Sequence, residues 1–199
     1  MPQEQTFPSP PERTPSRRTL HAAAVSLFAE KGYDGALVSD IARGAGIRKA
    51  SVYSGFKSKE DLFLTLLREA MDRETGIVDS ALRAGGLSAG LKGYLGSLTG
   101  RLAEEPPCLM FLLRSVYMPS AGLREAILAL NRVFFPGLLE LFRREAAASE
   151  VRPENVDAVA DACLAVIDSV QAACLYCPDF AGRRISAVWS MFERLVRDC

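Results

Sequence analysis

Histidine is nearly missing from this chain: His21 stands alone among 199 residues. One imidazole excludes a histidine-built metal cluster and leaves little material for general acid–base chemistry. No nucleophile–base grouping and no glycine-rich phosphate loop is present, so the sequence is not expected to encode an enzyme, and no cofactor or metal is expected. Neither sign of charge dominates, with Lys+Arg 24 against Asp+Glu 24, so overall basicity does not announce a polyanionic partner. No uninterrupted apolar stretch of about 18 residues occurs, which argues against a membrane-spanning helix. The first residues lack a charged start followed by an apolar run, so no secretory signal is expected. Five cysteines, an odd number without framework spacing, fit the reducing cytoplasm.

What the sequence does have is apolar content at helical spacing. Hydrophobic residues make up 49% of the chain, enough for a real core. Residues 1–16 hold Pro2, Pro8, Pro10, Pro11 and Pro15, which excludes a helix and predicts a mobile tail. Beyond it, no sustained polar/apolar alternation suggests a strand. Nine helices are expected, near Arg17–Lys31, Ser39–Gly44, Lys49–Ser54, Ser58–Leu82, Ser88–Glu104, Cys108–Tyr117, Gly122–Ser149, Pro153–Tyr176 and Phe180–Arg197. Gly32 and Gly85-Gly86 act as stops, Ser58 with Asp61 as an approximate capping box, and Pro136 as a bend inside the seventh. The fold class is all-α, divided into 17–62 and 63–199.

The segment Val38–Val52 (VSDIARGAGIRKASV) carries a mechanical pattern. Two helices crossing steeply need a tiny residue at closest approach (Ala42), a glycine in the turn (Gly46) and an aliphatic plug (Val52). Ile41, Ala45 and Ile47 fill the inward positions. This is the spacing of a helix-turn-helix, whose second helix lies in the major groove of DNA. With Gly32-Tyr33 before it, and Tyr53, Phe56 and Lys57-Ser58-Lys59-Glu60-Asp61-Leu62 after it, the stretch closely resembles the DNA-binding domain of TetR-family repressors. Charge agrees with that resemblance. Residues 17–62 hold eight basic and five acidic groups, a net +3, whereas 63–199 carry a net −2. The balanced total hides a basic end suited to phosphates.

The resemblance implies a role for individual residues. Tyr53 and Lys59 would hold phosphates, Lys59 from the first turn of a helix whose dipole favours anions. Arg48, Lys49, Ala50 and Ser51 would meet base edges, where Arg and Lys favour guanine acceptors and Ala50 a thymine methyl. Ser39 would reach a base or phosphate, and Arg17 the backbone. Five positions depart from the family pattern: Ala36 and Leu37 stand where hydroxyls usually open the second helix, Arg48 replaces a serine, Gly55 a histidine, and His21 an aliphatic residue.

A helix-turn-helix reads one half-site, and a dyad supplies the second. Val159, Cys163, Val166, Val170, Ala173 and Cys177 follow a 4-3-4-3-4 spacing, and Ile185, Val188, Trp189 and Phe192 form a second stripe. Together they predict a homodimer interface, with packing inside one subunit as the alternative. Phe111, Tyr117, Met118 and Phe134, with Gln171, are the candidate effector residues. The resemblance implies a small, largely apolar molecule among these helices whose binding releases DNA, with ordinary core packing as the alternative. Asp157, Asp161, Asp168 and Gln171 share a face that suits either a ligand or solvent. Cys174 and Cys177 form a C-x-x-C at a helix C-terminus, where the dipole opposes a thiolate. The expected function is a ligand-responsive, dimeric, cytoplasmic transcriptional regulator of palindromic operator DNA, most simply a repressor. The alternatives are an all-α carrier or enzyme with a vestigial helix-turn-helix, and a thiol or metal sensor using Cys174 and Cys177.

Overall fold

Glycines punctuate the helices at the positions where the sequence calls for a stop. A computed structural model of the chain describes residues 17–104 and 106–198; the tail expected over 1–16 lies outside the described residues. Helix α1 (Arg17–Gly35) leaves helical geometry at Gly32, whose φ of 69° is left-handed and open to glycine at no steric cost. Helices α2 (Val38–Gly44) and α3 (Lys49–Tyr53) are joined through Gly46, also at φ 69°. Helix α4 (Lys59–Glu104) begins at the expected cap: the Asp61 N–H donates to Ser58 Oγ at 3.0 Å. The Asp61 carboxylate returns to accept from the Lys57 N–H at 2.8 Å, one residue earlier than a strict capping box.

Four helices complete the chain: α5 (Pro106–Tyr117), α6 (Arg124–Ala147), α7 (Val156–Tyr176) and α8 (Ala181–Asp198). Single 3-10 turns precede the last three. Among the described residues there is no strand. Helix α6 continues through Pro136, which lies on its exposed side.

The two helices expected on either side of Gly85-Gly86 are arms of α4, broken at Gly86 (φ 65°, ψ −166°). The arms fold back on each other backbone to backbone. A Cβ on Gly90 would lie 2.6 Å from the Ala81 carbonyl oxygen and 2.7 Å from Leu82 Cα, so this position has room for no side chain. That approach brings Glu74 of the first arm to Tyr94 and Arg101 of the second.

Two apolar cores result. One joins the three N-terminal helices (Ala24, Phe28, Ile41, Ala42, Val52) to the start of α4 as far as Met71, and recruits Phe111, Leu112, Leu123 and Ile127. The other runs from Val78 through Leu95, Phe142, Cys163 and Val170 to Phe192. The head's core therefore extends beyond residue 62, because α4 is continuous there and α5 packs along α1. The Pro153–Tyr176 stretch is long and apolar enough to cross a membrane, with an 18-residue window of mean hydropathy 1.6. Here it packs against α4, α5, α6 and α8 as a core helix.

The expected dimer seam needs correction. Val159, Cys163, Val170, Ala173, Trp189 and Phe192 are buried within the single chain, while Val166, Ile185 and Val188 pack half-buried on the same core. Only Cys177 is exposed. The stripe marks the inward face of α7 and α8. Helix α7 carries apolar residues on its outward side too (Ala158, Ala165, Tyr176), so its spacing could not tell a face turned to its own subunit from one turned to a partner.

Candidate nucleic-acid interface and interior polar chain

The turn between α2 and α3 is built as the spacing requires. Ile41, Ala42, Ala45 and Val52 are buried, the Ile47 N–H reaches the Ala42 carbonyl at 2.9 Å, and Gly46 supplies the left-handed residue between them. With α3 plugged inward by Val52, its remaining surface faces out. Arg48, Lys49, Ala50 and Ser51 are exposed along the start of α3, Ser39 is exposed on α2, and Tyr53 is 45% exposed at the end of α3. Phe56 is buried, as core packing would have it. Arg17 stands outward at the start of α1, 3.5 Å from Glu69.

Lys59, half-buried in the first turn of α4, is held by the head's own backbone. Its ammonium donates to the carbonyls of Tyr33 (2.8 Å) and Ala36 (3.0 Å) and lies 4.2 Å from the centre of the Tyr33 ring. Two of its three N–H groups thus tie the loop after α1 to α4, a strut inside the head. His21 finds an equally local role. Its Nδ1 faces Glu69 of α4 at 3.2 Å, and its Nε2 accepts from Arg17 Nε at 3.3 Å.

Arg114, Phe63 and Ser120, which spacing did not single out, lock the head to the body together with Phe28 and Phe111. Arg114 of α5 donates to the Ala29 and Glu30 carbonyls at 2.7 and 2.8 Å, collecting acceptors near the end of α1. Phe28 stacks between Phe63 (4.9 Å, edge-on) and Phe111 (6.0 Å), and Ser120 Oγ bonds Asp34 at 3.1 Å. No local signal could have found the Arg114 bonds, whose partners are 84 and 85 residues away.

In the body, polar groups point inward. Glu74 is 2% exposed, yet its carboxylate accepts from Arg101 Nη1 (3.1 Å) and Nη2 and from the Tyr94 hydroxyl (2.5 Å). The Tyr94 oxygen in turn accepts from Gln171 Nε2 at 2.9 Å. The Tyr117 hydroxyl lies 2.7 Å from Asp168 Oδ1 and 3.0 Å from Gln171 Oε1, two acceptors for its one proton. Burial pushes the Tyr94 and Tyr117 hydroxyls well above the ordinary phenol range, reinforced by the neighbouring carboxylates. Burial also raises Asp168, against the Tyr117 bond that lowers it. Glu74 lies on the apolar register of Met71, Val78 and Leu82, a carboxylate among core positions, and that was the available signal for the chain.

Of the expected effector residues, only Tyr117 and Gln171 come together. Phe111 is 1% exposed in the head–body core, and Phe134 packs half-buried against both cores. Met118 is exposed, at a separate hollow of about 200 Å³ beside Phe28, Tyr33 and Arg114. Asp157 faces solvent and binds Arg143 at 2.7 Å, the ordinary edge reading. Burial pushes the Cys163 thiol up to about 12 and raises Cys174, disfavouring the thiolate in both, while Cys177 is exposed. Among the described residues, no group of three or more His, Cys, Asp or Glu could hold a metal.

Residues 20–66 match the domain of the bacterial regulatory proteins, tetR family. Over 55 residues the chain is 40% identical to IcaR of Staphylococcus aureus, the HTH-type negative transcriptional regulator of the biofilm operon icaADBC, covering 28% of this chain and 30% of that protein. Over 60 residues it is 38% identical to the fatty acid metabolism regulator protein of Bacillus subtilis, covering 30% and 31%. The chain thus spans less than a third of the length of the curated relatives it matches. Solved structures extend the likeness to the whole fold. FadR of Bacillus subtilis, in complex with stearoyl-CoA, superposes with a TM-score of 0.67 at 19% identity, covering 87% and 97% of the two chains. PfmR of Thermus thermophilus, a TetR family transcriptional regulator, gives 0.60 at 25%, covering 90% and 97%.

Proposed function

From a chain whose N-terminal domain belongs to the tetR family, in a TetR-like all-α fold, we propose a ligand-responsive transcriptional repressor that binds operator DNA as a homodimer. One observation carries the reading. The start of α3 presents Arg48, Lys49, Ala50 and Ser51 to solvent on a basic head, over a turn that only a residue tolerant of positive φ can make. Arg48 and Lys49 are suited to guanine edges, Ser39 and Tyr53 to phosphates or sugars, and Arg17 to the backbone beside the groove. Lys59 holds the domain in shape through Tyr33 and Ala36, and its third N–H is the one left for a phosphate.

The dimer is expected on the outward sides of α7 and α8. Tyr176 (60% exposed), Met191 (73%) and Leu195 (39%) are exposed there, as are Ala158 and Ala165. An apolar face of this kind on a water-bathed subunit favours a partner. The effector is a small, mainly apolar molecule with a polar group, for which Tyr117, Asp168 and Gln171 supply interior partners. Residence in the cytoplasm follows from a regulator's need to meet DNA.

Selection of duplexes from a random library with the full chain tests the reading. The expected result is enrichment of a palindrome, with affinity falling steeply as salt rises. Lys49→Ala should relax preference at one symmetric pair of positions, and Tyr53→Phe should weaken all duplexes alike. No binding to any duplex at low ionic strength would overturn the proposal.

A further inference from the structure

Arg114 bolts the end of α1 to the body with one nitrogen of its guanidinium. Nη1 uses both its N–H groups on the Ala29 and Glu30 carbonyls, at 2.7 and 2.8 Å, which meets the negative end of the helix. The N–H groups of Nε and Nη2 have no partner among the described residues, and no carboxylate there pairs with this half-buried charge. Lys31, exposed one residue before Gly32, also lacks an ion-pair partner among the described residues.

The two cations line one hollow of about 200 Å³, between the broken end of α1 and the last turns of α5. A Cβ on Gly32 would meet nothing within 4 Å, so the break at that residue faces open space. Buried Phe28 and Phe63 form the floor, and Tyr33 and exposed Met118 reach the rim. Asp34 is the only carboxylate among the described residues of the lining, and Ser120 Oγ already donates to it at 3.1 Å. Two cations against one carboxylate leave the hollow with a net +1.

Size and lining together select a ligand. An apolar cavity of about 150 Å³ accepts benzene, so this hollow has room for one ring and a small acidic group. A ring packs well against a tyrosine and a thioether. The free Nε–Nη2 edge of a guanidinium is a fork that matches the two oxygens of a carboxylate. A cationic ligand would instead meet Arg114 and Lys31 as like charges.

We propose that this hollow between the ends of α1 and α5 is a binding site for small aromatic carboxylates of benzoate size. The carboxylate takes the Nε–Nη2 edge of Arg114 and the Lys31 ammonium, and the ring lies against Tyr33 and Met118. The site stands on the geometry of this junction alone and does not depend on the chain's binding to DNA.

The probes are benzoate and its uncharged relative benzyl alcohol, titrated into the full chain with methyl-labelled methionine and followed by magnetic resonance. The chain has five methionines, so the Met118 signal is identified by its loss in Met118→Leu. Benzoate should move the Met118 methyl saturably and leave Met191, on α8, in place. Benzyl alcohol should need about tenfold more ligand for the same shift. Lys31→Glu reverses a charge on an exposed side chain without a partner, so the parent's melting should be kept. It should weaken benzoate roughly fivefold and benzyl alcohol less than twofold. Arg114→Lys keeps the charge but loses the fork, and should weaken benzoate on the order of tenfold. A Met118 methyl that stays in place up to tens of millimolar benzoate would overturn the proposal. So would equal affinity for the two probes, or undiminished benzoate binding in Lys31→Glu. If Arg114→Lys does not fold, Lys31→Glu still decides the site.

Discussion

In the head, Arg48, Lys49 and Ser51 stand on the surface above a core of Ala24, Phe28, Ile41 and Val52. In the body, Glu74 and Gln171 lie in the interior with Tyr94 between them, and the core surrounds them. The two regions place their chemistry on opposite sides of their apolar layers. A surface that meets a long polyanion needs charges in water, ready to exchange counterions for phosphates. An interior that holds polar groups must satisfy each one internally, and it gains a single defined arrangement from doing so. The head's function therefore separates from its stability, whereas in the body the two are joined.

The sharpest break of that contrast is at Glu74. Glu74→Ala leaves Arg101 and Tyr94 without their shared acceptor, a loss of about 3–5 kcal/mol. For a chain of this size the melting temperature should drop by roughly 10 °C, while Glu74→Gln, which keeps an acceptor, should lose less. An unchanged melt in Glu74→Ala would mean that the interior chain is not structural. In the head the opposite split is expected. Lys49→Ala should reduce affinity for the selected duplex by about 1–3 kcal/mol and leave the melt within about 0.5 kcal/mol of the parent. A large loss of stability there would erase the distinction between the regions.

Arg114→Ala sits on the border and tests whether head and body act as one. It removes two bonds to α1 carbonyls, so amide hydrogen exchange should quicken at the C-terminal half of α1 and in α2, by about 1–2 kcal/mol of local protection. Exchange confined to α5 would show that the bolt does not carry. The smallest effect is at Asp168, whose burial holds its carboxyl above the ordinary range. A raised acid favours the neutral form in the fold, so its stabilising contribution is complete at pH below the unfolded value. It is lost as pH rises through the folded one. Asp168→Asn keeps an acceptor for Tyr117 and carries no charge. Its melting temperature relative to the parent should rise as pH is raised from the acid range towards neutrality, and a flat difference would put Asp168 in water.

Legibility followed the same division. The Ala42–Gly46–Val52 spacing, the Ser58 cap and the stops at Gly32 and Gly86 were readable because each answers to local backbone geometry: a close crossing, an orphan N–H, a positive φ. The outward face of α3 followed once Val52 pointed in. The strut role of Lys59 left no mark because its partners, the carbonyls of Tyr33 and Ala36, are acceptors that every residue owns. The stripe on α7 was read as a seam between subunits because spacing reports which residues share a side, and not what covers it. Arg114 and the Arg101–Glu74–Tyr94 cluster depend on the fold-back at Gly86 and on α5 lying along α1, and these are long-range facts. Only Glu74, a carboxylate on the Met71–Val78–Leu82 register, left a mark in the sequence.

The Tyr94 hydroxyl has one further consequence. Its proton is shared at 2.5 Å with Glu74 and shut away from water. A proton so placed should resonate far downfield and exchange slowly with solvent. It would give an isotope-free magnetic resonance marker of whether the two arms of α4 are closed, readable in the intact molecule while DNA or small molecules are added.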